Sequence, residues 1–356
     1  MSRHRGVTDV EAELSRTLRR WPVAVMLAAT VALHAQEPAH FDSLPAIDKL
    51  HLFGALAVLA ADSMEGRKAG TPGGERARAF LLREFAAIGL QPAVKGFTAV
   101  FSAGISAPPR TPVQAPRNTR QRPAMPLVSE NRFVTAVNLL GVVRGTVHPD
   151  RYIVVSAHYD HVGIVRGEIY NGADDNASGS AAIFAIAEWA IAHPPENSLL
   201  FAWFDAEEEG LLGSAAFVAH PPVPLEKIAA DVNLDMVSRS ARGELFAAGA
   251  RRWPVMQPLI DSLVLRTPVT LRQGHDGGSD EDDWTHRSDM GPFHDKGIPF
   301  ISFDVEEHPD YHRPTDVVSH IHPEFYYWSV RTIAEFIRRL DASLDGVEAV
   351  RRGVKK

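Results

Sequence analysis

Several apolar runs in this chain end on residues able to bind a cation or move a proton. "YIVVSA" leads into "HYDH", which contains His158 and Asp160. "SLLFAWF" leads into "DAEEEG", with Glu207, Glu208 and Glu209 in a row. "IAADVNL" leads into Asp235, and "GIPFISFD" into "VEEHPDYHRPTD", with His308, Asp310, Tyr311 and His312. Between the first two, "YNGADDNASG" places Asp174 and Asp175 just ahead of a helical pattern. Read alone, the glutamate run is a solvated turn, since ionised carboxylates beside a core cost several kcal/mol each without a compensating charge. Its recurrence at one strand end after another points instead to glutamates that face a cation.

The chemistry that asks for such a set is two-metal hydrolysis. Two divalent ions roughly 3.5–4 Å apart clamp a water and polarise a carbonyl. The pair needs a carboxylate that bridges both ions, with His and carboxylate ligands on each side. A further carboxylate must stay off the metal to take the proton from the water. Two consecutive glutamates can divide that labour, because their side chains diverge.

The elements that must position these residues read as an α/β fold. Strand-like runs cover 134–143, 152–156, 199–204, 229–234, 245–248 and 299–303, with a further short strand at 97–101. Helical patterns cover 44–61, 75–88 (stopped by Gly89), 177–192, 211–219, 255–265 and 323–340. Continuous apolar strands alternating with helices predict a three-layer αβα arrangement, with a mostly parallel, twisted, mixed sheet covered on both faces. In such sheets ligands bind beyond the carboxyl ends of the strands, where the His, Asp and Glu residues above fall. Residues 107–126, rich in Pro, Arg, Gln and Thr, read as a surface loop.

Composition narrows the chemistry. The chain has 356 residues, 45% of them apolar, and no cysteine, so thiolate ligands, cysteine nucleophiles and disulfides are excluded. Any metal must be held by His, Asp and Glu. A net charge of −7 without a basic stripe argues against nucleic acid as a partner. At the N-terminus, Arg16, Arg19 and Arg20 precede an apolar stretch at 23–33, and Ala35 stands before a candidate cleavage point. The stretch is too short to span a membrane comfortably. The expectation is a signal peptide at 1–35, a single catalytic domain at 36–356, a periplasmic or secreted bacterial location, and no stable membrane span after cleavage. The other reading of this stretch is a short amphipathic or buried helix.

Taken in order, "AHYDH", "YNGADDNASG", "FDAEEEGLLGS", "NLDM", "RSDMGPFHDKGIP" and "HPDYHRPTD" resemble the two-zinc aminopeptidases of peptidase family M28. The upstream "DSMEGRKAGTPGGERARAFLLREFAAIGL" is similar to that family's N-terminal helical segment, so the likeness covers about 50–340. Any one of these motifs is weak, but six in order are specific. The resemblance implies that His158 and Asp235 hold one Zn²⁺, that Glu208 and His312 hold a second, and that Asp175 bridges them, followed by a cis peptide at Asp175–Asn176. Co or Mn could substitute for zinc. It further implies Glu207 as general base, Asp160 as a buttress of the His158 imidazole, Tyr311 as an oxyanion partner and Arg287 as a substrate contact. Where relatives often have "SDH", this chain has Ser288-Asp289-Met290, a change expected at the pocket wall. No room is left for the inserted lid domain of some larger members.

The function this implies is a secreted zinc aminopeptidase acting on peptides. The alternatives on the same scaffold are a carboxypeptidase, a dipeptidase or a one-zinc glutaminyl-cyclase-like enzyme, and, from another class, a non-catalytic ectodomain-like module that would have lost ligands. Among the remaining candidates, Asp174 reads as a turn carboxylate and Glu209 as a cap of the following helix. His161, His294 and His308 read as polar loop or supporting residues, 279–283 as a solvated loop, and Trp189, Trp203 and Trp284 as core or wall.

Overall fold

The central strands carry unbroken apolar runs because both of their faces are covered. In β7 (Asn197–Phe204) every residue is buried, and the same holds for β8 (Ile228–Leu234) and β11 (Phe300–Asp304). The computed structural model describes residues 43–105, 132–277 and 283–354. The expected signal peptide, the Pro-rich stretch and most of 279–283 lie outside them. The other strands are β1 (Gln91–Pro92), β2 (Thr98–Ile105), β3 (Arg132–Val143), β4 (His148–His158), β5 (Gly163–Val165), β6 (Glu168–Tyr170), β9 (Glu244–Ala248) and β10 (Thr270–Gln273). One nine-stranded sheet runs β1-β3-β7-β4-β8-β11-β9-β10, with β2 also paired to β3, and β5 and β6 form a separate ribbon. The β7-β4-β8-β11 core is parallel, while β1, β2 and β7 pair antiparallel with β3, and β9 with β11. The mixed sheet expected from the sequence is the one observed.

Helices cover both faces: α1 (Lys49–Leu59), α2 (Pro72–Ile88), α3 (Gly179–Ala192), α4 (Leu212–Ala219), α5 (Gln257–Val264), α6 (Met290–Asp295), α7 (Pro323–Ala342) and α8 (Leu344–Val354). Alternation along β7 divides the core. Leu200, Ala202 and Phe204 pack with Phe217 of α4 and Phe293 of α6. Trp203 points the other way, its ring 4.4 Å from Phe85 of α2 and its Nε1 donating to the Ser180 carbonyl of α3. Burial of each such large apolar side chain is worth about 1.5–3 kcal/mol.

Local chemistry moves several boundaries. The first helix starts at Lys49 rather than 44, because Pro45 disfavours helical backbone at Leu44 and Asp48 caps the N-terminus by accepting from His51 N. The second starts earlier than expected, with Thr71 as cap and Pro72 in the first turn, and ends at left-handed Gly89. Helix α3 starts at Gly179, after a π-type turn over Ala173–Ser178. Strand β10 and helices α6 and α8 are additions to the sequence reading.

Register places the strand ends level. His158 pairs with Phe204, Ser156 with Asn233, and Phe303 with Leu234. The residues that follow β4, β7, β8 and β11 therefore emerge along one edge of the sheet.

Candidate metal centre

Each ligand-bearing segment is pinned by main-chain contacts. The end of β4 is fixed where Ser180 Oγ donates to the His158 carbonyl at 2.7 Å, and Tyr159 OH donates to the Val137 carbonyl at 2.8 Å. In the 171–178 segment, Gly172 has φ 57°, and a Cβ there would fall 2.0 Å from the Asp175 carbonyl oxygen. The peptide Asp175–Asn176 is cis. The Asn176 side chain donates to the Leu234 carbonyl at 2.9 Å and accepts from Met236 N at 3.2 Å, which ties this loop to the end of β8 on both sides of Asp235. From beyond His312, the Asp316 carboxylate accepts from Asp174 N and Asp175 N, each at 3.1 Å through Oδ2. The glutamate turn is held where Glu207 N donates to Asp160 Oδ1 at 3.0 Å.

These pins bring the donor atoms into two groups. His158 Nε2 lies 3.5 Å from Asp175 Oδ1 and 3.3 Å from Asp235 Oδ1. His312 Nε2 lies 3.0 Å from Asp175 Oδ2 and 3.1 Å from Glu208 Oε2. Asp175 thus offers one oxygen to each group. Ligand atoms on a tetrahedral ion with bonds near 2.1 Å stand roughly 3.4 Å apart, so donor set and spacing both fit a pair of zinc-like cations. Glu207 Oε2, 3.9 Å from His158 Nε2, belongs to neither group.

Electrostatics follow from the crowding of carboxylates away from water. Burial pushes Glu207 well up, only partly offset by His158, with Asp235 and Asp289 adding to the rise. Burial alone would lower His158, but Asp235, Glu207 and Asp175 reverse it and leave it well above its usual value. His312, likewise lowered by burial, is raised to about 10 by its bonds to Asp175 and Glu208. Glu208 ends well below the carboxylate range, because His161 and His312 outweigh its burial.

The other expected residues are placed as follows. Asp160 is fully buried; its carbonyl lies 3.2 Å from His158 Nδ1 and its carboxylate 3.7 Å away. The Tyr311 ring stacks on His312 with centroids 4.0 Å apart, and burial raises its hydroxyl, with neighbouring carboxylates adding to the rise. Arg287 lies on the cleft wall, half exposed and 3.3 Å from Glu307. The cleft is also lined by Leu211, Met236, Trp284, Asp304, Glu306 and Glu307.

Some expectations need correction. Glu209 does not cap α4, whose N-cap is left-handed Leu211 without a side-chain bond; it forms an ion pair with Lys68 instead. Asp174 sits in the turn over 173–178 and belongs to neither donor group, but it is not a free turn carboxylate. It is fully buried and accepts from Ser238 N at 2.8 Å, Ser238 Oγ at 2.7 Å and His308 at 3.1 Å. Met290 does not reach the cleft wall; it is buried beside Asn233 of β8. His161 goes further than a loop role, with Nδ1 2.6 Å from Glu208 Oε1 inside the second donor group. Asp316 carried no signal of its own, and only its place four residues after His312 could have drawn notice.

A paired His/carboxylate centre at the carboxyl edge of an αβα sheet defines a class of metal-dependent hydrolase scaffold. The model of peptidase family M28 matches residues 138–337, and the chain belongs to that family. Among curated relatives, Aminopeptidase YwaD of Bacillus subtilis is 32% identical over 206 residues, covering 53% of this chain and 41% of the relative. An aminopeptidase of Pseudomonas aeruginosa is 33% identical over 159 residues, covering 43% of this chain and 28% of the relative. The chain thus spans less than half the length of these two relatives. Among solved structures, BSAP, a zinc aminopeptidase from Bacillus subtilis, superposes with a TM-score of 0.62 at 18% identity, covering 83% of this chain and 95% of that one. A glutaminyl cyclase from Bacteroides thetaiotaomicron gives 0.60 at 16% identity, covering 83% and 99%. Both likenesses concern the fold.

Proposed function

We propose that this protein is a two-zinc aminopeptidase. The observation that carries the reading is Asp175, which gives one carboxylate oxygen to each of two His/carboxylate groups. His158 and Asp235 would hold one ion, Glu208 and His312 the other, and Asp175 would be shared between them, with His161 bracing Glu208. When bound, the two cations polarise the scissile carbonyl and activate a water. Glu207 takes the water's proton and returns it to the leaving amine; burial makes it a strong acceptor. Tyr311, held protonated by burial and the surrounding carboxylates, donates to the oxyanion. Arg287 contacts the substrate from the wall.

Amino- rather than carboxypeptidase activity is supported by the charge of the cleft. Beyond the carboxylates of the two donor groups it adds the exposed Glu306 and Glu307, and Arg287 is engaged by Glu307. That surface suits an N-terminal ammonium and repels a C-terminal carboxylate. The expected result is hydrolysis of aminoacyl-nitroanilides, with N-blocked and C-terminal reporter peptides untouched. Exhaustive chelation abolishes the activity and Zn²⁺ restores it, with Co or Mn as substitutes. Metal analysis finds two ions; a cyclase-like site would hold one, and full activity without metal would sink the mechanism.

Residues 1–35 act as an export signal, and residues 36–356 form the catalytic domain of a periplasmic or secreted enzyme. Support comes from the arginines before the short apolar stretch at 23–33. No helix among the described residues is long and apolar enough to cross a membrane. N-terminal sequencing of protein from the periplasm or medium should begin near Gln36. Recovery only from cytoplasm, with residues 1–35 intact, contradicts export.

A further inference from the structure

We infer that Arg67 and Lys68, which lie outside the family match at 138–337, form a clamp that positions the metal ligands. This rests on the two-metal reading above. Arg67 is fully buried, and all of its bonds go to main-chain carbonyls rather than to a carboxylate. Nε donates to Tyr159 at 2.9 Å, between His158 and Asp160. Nη1 donates to Leu59 at 2.8 Å and Asn171 at 2.5 Å, and Nη2 to Gly172 at 2.9 Å and Asp175 at 3.5 Å. The five N–H groups of the fork therefore join α1, the end of β4 and the loop that carries the bridging carboxylate. Asp316 grips the same loop through its N–H groups, so the loop is held from both sides. Lys68 extends the clamp to the third ligand segment through its ion pair with Glu209.

Local backbone is shaped to present this pair. Glu65, Gly66 and Arg67 all have positive φ, at 49°, 65° and 50°. A Cβ on Gly66 would lie 2.3 Å from the Tyr170 carbonyl oxygen, so the turn is pressed against the ribbon that precedes the bridging loop. Asn171 binds back, its Nδ2 donating to the Ala60 carbonyl at 2.9 Å and to Asp62 Oδ1 at 2.8 Å. Left-handed backbone at two non-glycine residues persists only where the surroundings over-determine it. A guanidinium does not lose its proton in proteins, so Arg67 stays charged at neutral pH. Arg67 is a positioning residue: it touches no ligand side chain and sets where two of the ligand segments stand.

Charge and geometry make opposite predictions here. A buried cation near two dications repels them, so if charge were all that mattered its removal would tighten metal binding. The clamp predicts the reverse. In Arg67→Lys the charge stays but the fork is lost; in Arg67→Met both go. Titrating metal-free protein with Co²⁺ alone, wild type should bind two ions, and both variants should bind them about 10- to 100-fold more weakly with altered visible absorption, the scale seen when supporting partners of metal ligands are removed. On nitroanilides kcat should drop while KM stays within a few-fold. Wild-type affinity and spectrum in Arg67→Lys, or tighter binding in Arg67→Met, overturns the clamp even if thermal stability falls. Should neither variant fold, hydrogen exchange on wild type decides: metal should slow exchange in Asp62–Arg67, and unchanged exchange there overturns the proposal. Wild type that takes up no Co²⁺ removes the two-metal reading itself, and this inference with it.

Discussion

Asp175→Ala should empty both cation sites, whereas Asp235→Ala and Glu208→Ala should each leave one ion behind. The asymmetry follows from geometry: Asp175 places Oδ1 3.5 Å from His158 Nε2 and Oδ2 3.0 Å from His312 Nε2. Loss of partners that merely support metal ligands costs 10- to 100-fold in affinity, so loss of a shared ligand should cost more than about 100-fold at each site. The loop itself should survive, because Asp316 and Asn176 grip it without using the Asp175 side chain. The metal-free variant should therefore melt near the metal-free wild type. What it should lose is stabilisation by zinc, which for wild type amounts to about 2.7 kcal/mol per occupied site at a hundred times Kd. The measurements are metal stoichiometry by mass spectrometry and melting with and without zinc. If Asp175→Ala keeps two ions while Asp235→Ala keeps none, the bridging assignment is wrong.

The contrast between these residues and Arg67 explains what could be read in the sequence. The central strands were legible because burial on both faces leaves continuous apolar runs, as in β7 and β8. The strand-end carboxylates and histidines were legible because charged residues directly after a buried run need a reason to be there. Arg67 left no such trace. Its partners are carbonyls, which every residue possesses, so neither composition nor periodicity marks it. Glu209 was misread for a similar reason: its partner Lys68 is distant in sequence, and the glycine and left-handed leucine before α4 removed the cap it was expected to fill. Asp174 was legible as a turn carboxylate outside the donor groups, but its buried partners were not. Only the fold brings Ser238 and His308 to it. Helix α8 was unreadable in isolation, since it contains two glycines and depends on contacts such as Arg351 with the Leu225 carbonyl.

The three glutamates that follow β7 should separate cleanly by variant. Glu207→Gln should retain both ions and near-normal KM while kcat drops by 10²- to 10⁴-fold, the range for loss of a general base. Glutamine keeps the size of the side chain, and the turn is fixed by Glu207 N on Asp160, which the substitution leaves in place. It cannot accept the water's proton. Glu208→Gln should behave differently, because this residue sits 3.1 Å from His312 Nε2 and 2.6 Å from His161 Nδ1 in the second donor group. One site should weaken, and excess Zn²⁺ should partly rescue the rate. Glu209→Gln should stay within a few-fold of wild type. Its ion pair with Lys68 is partly exposed and worth at most about 1 kcal/mol, and an amide still accepts from the ammonium. Metal stoichiometry and kcat measured in parallel on the three variants distinguish these roles. If Glu207→Gln loses an ion, or Glu209→Gln is the inactive variant, the division of labour along the turn is wrong and the roles must be reassigned.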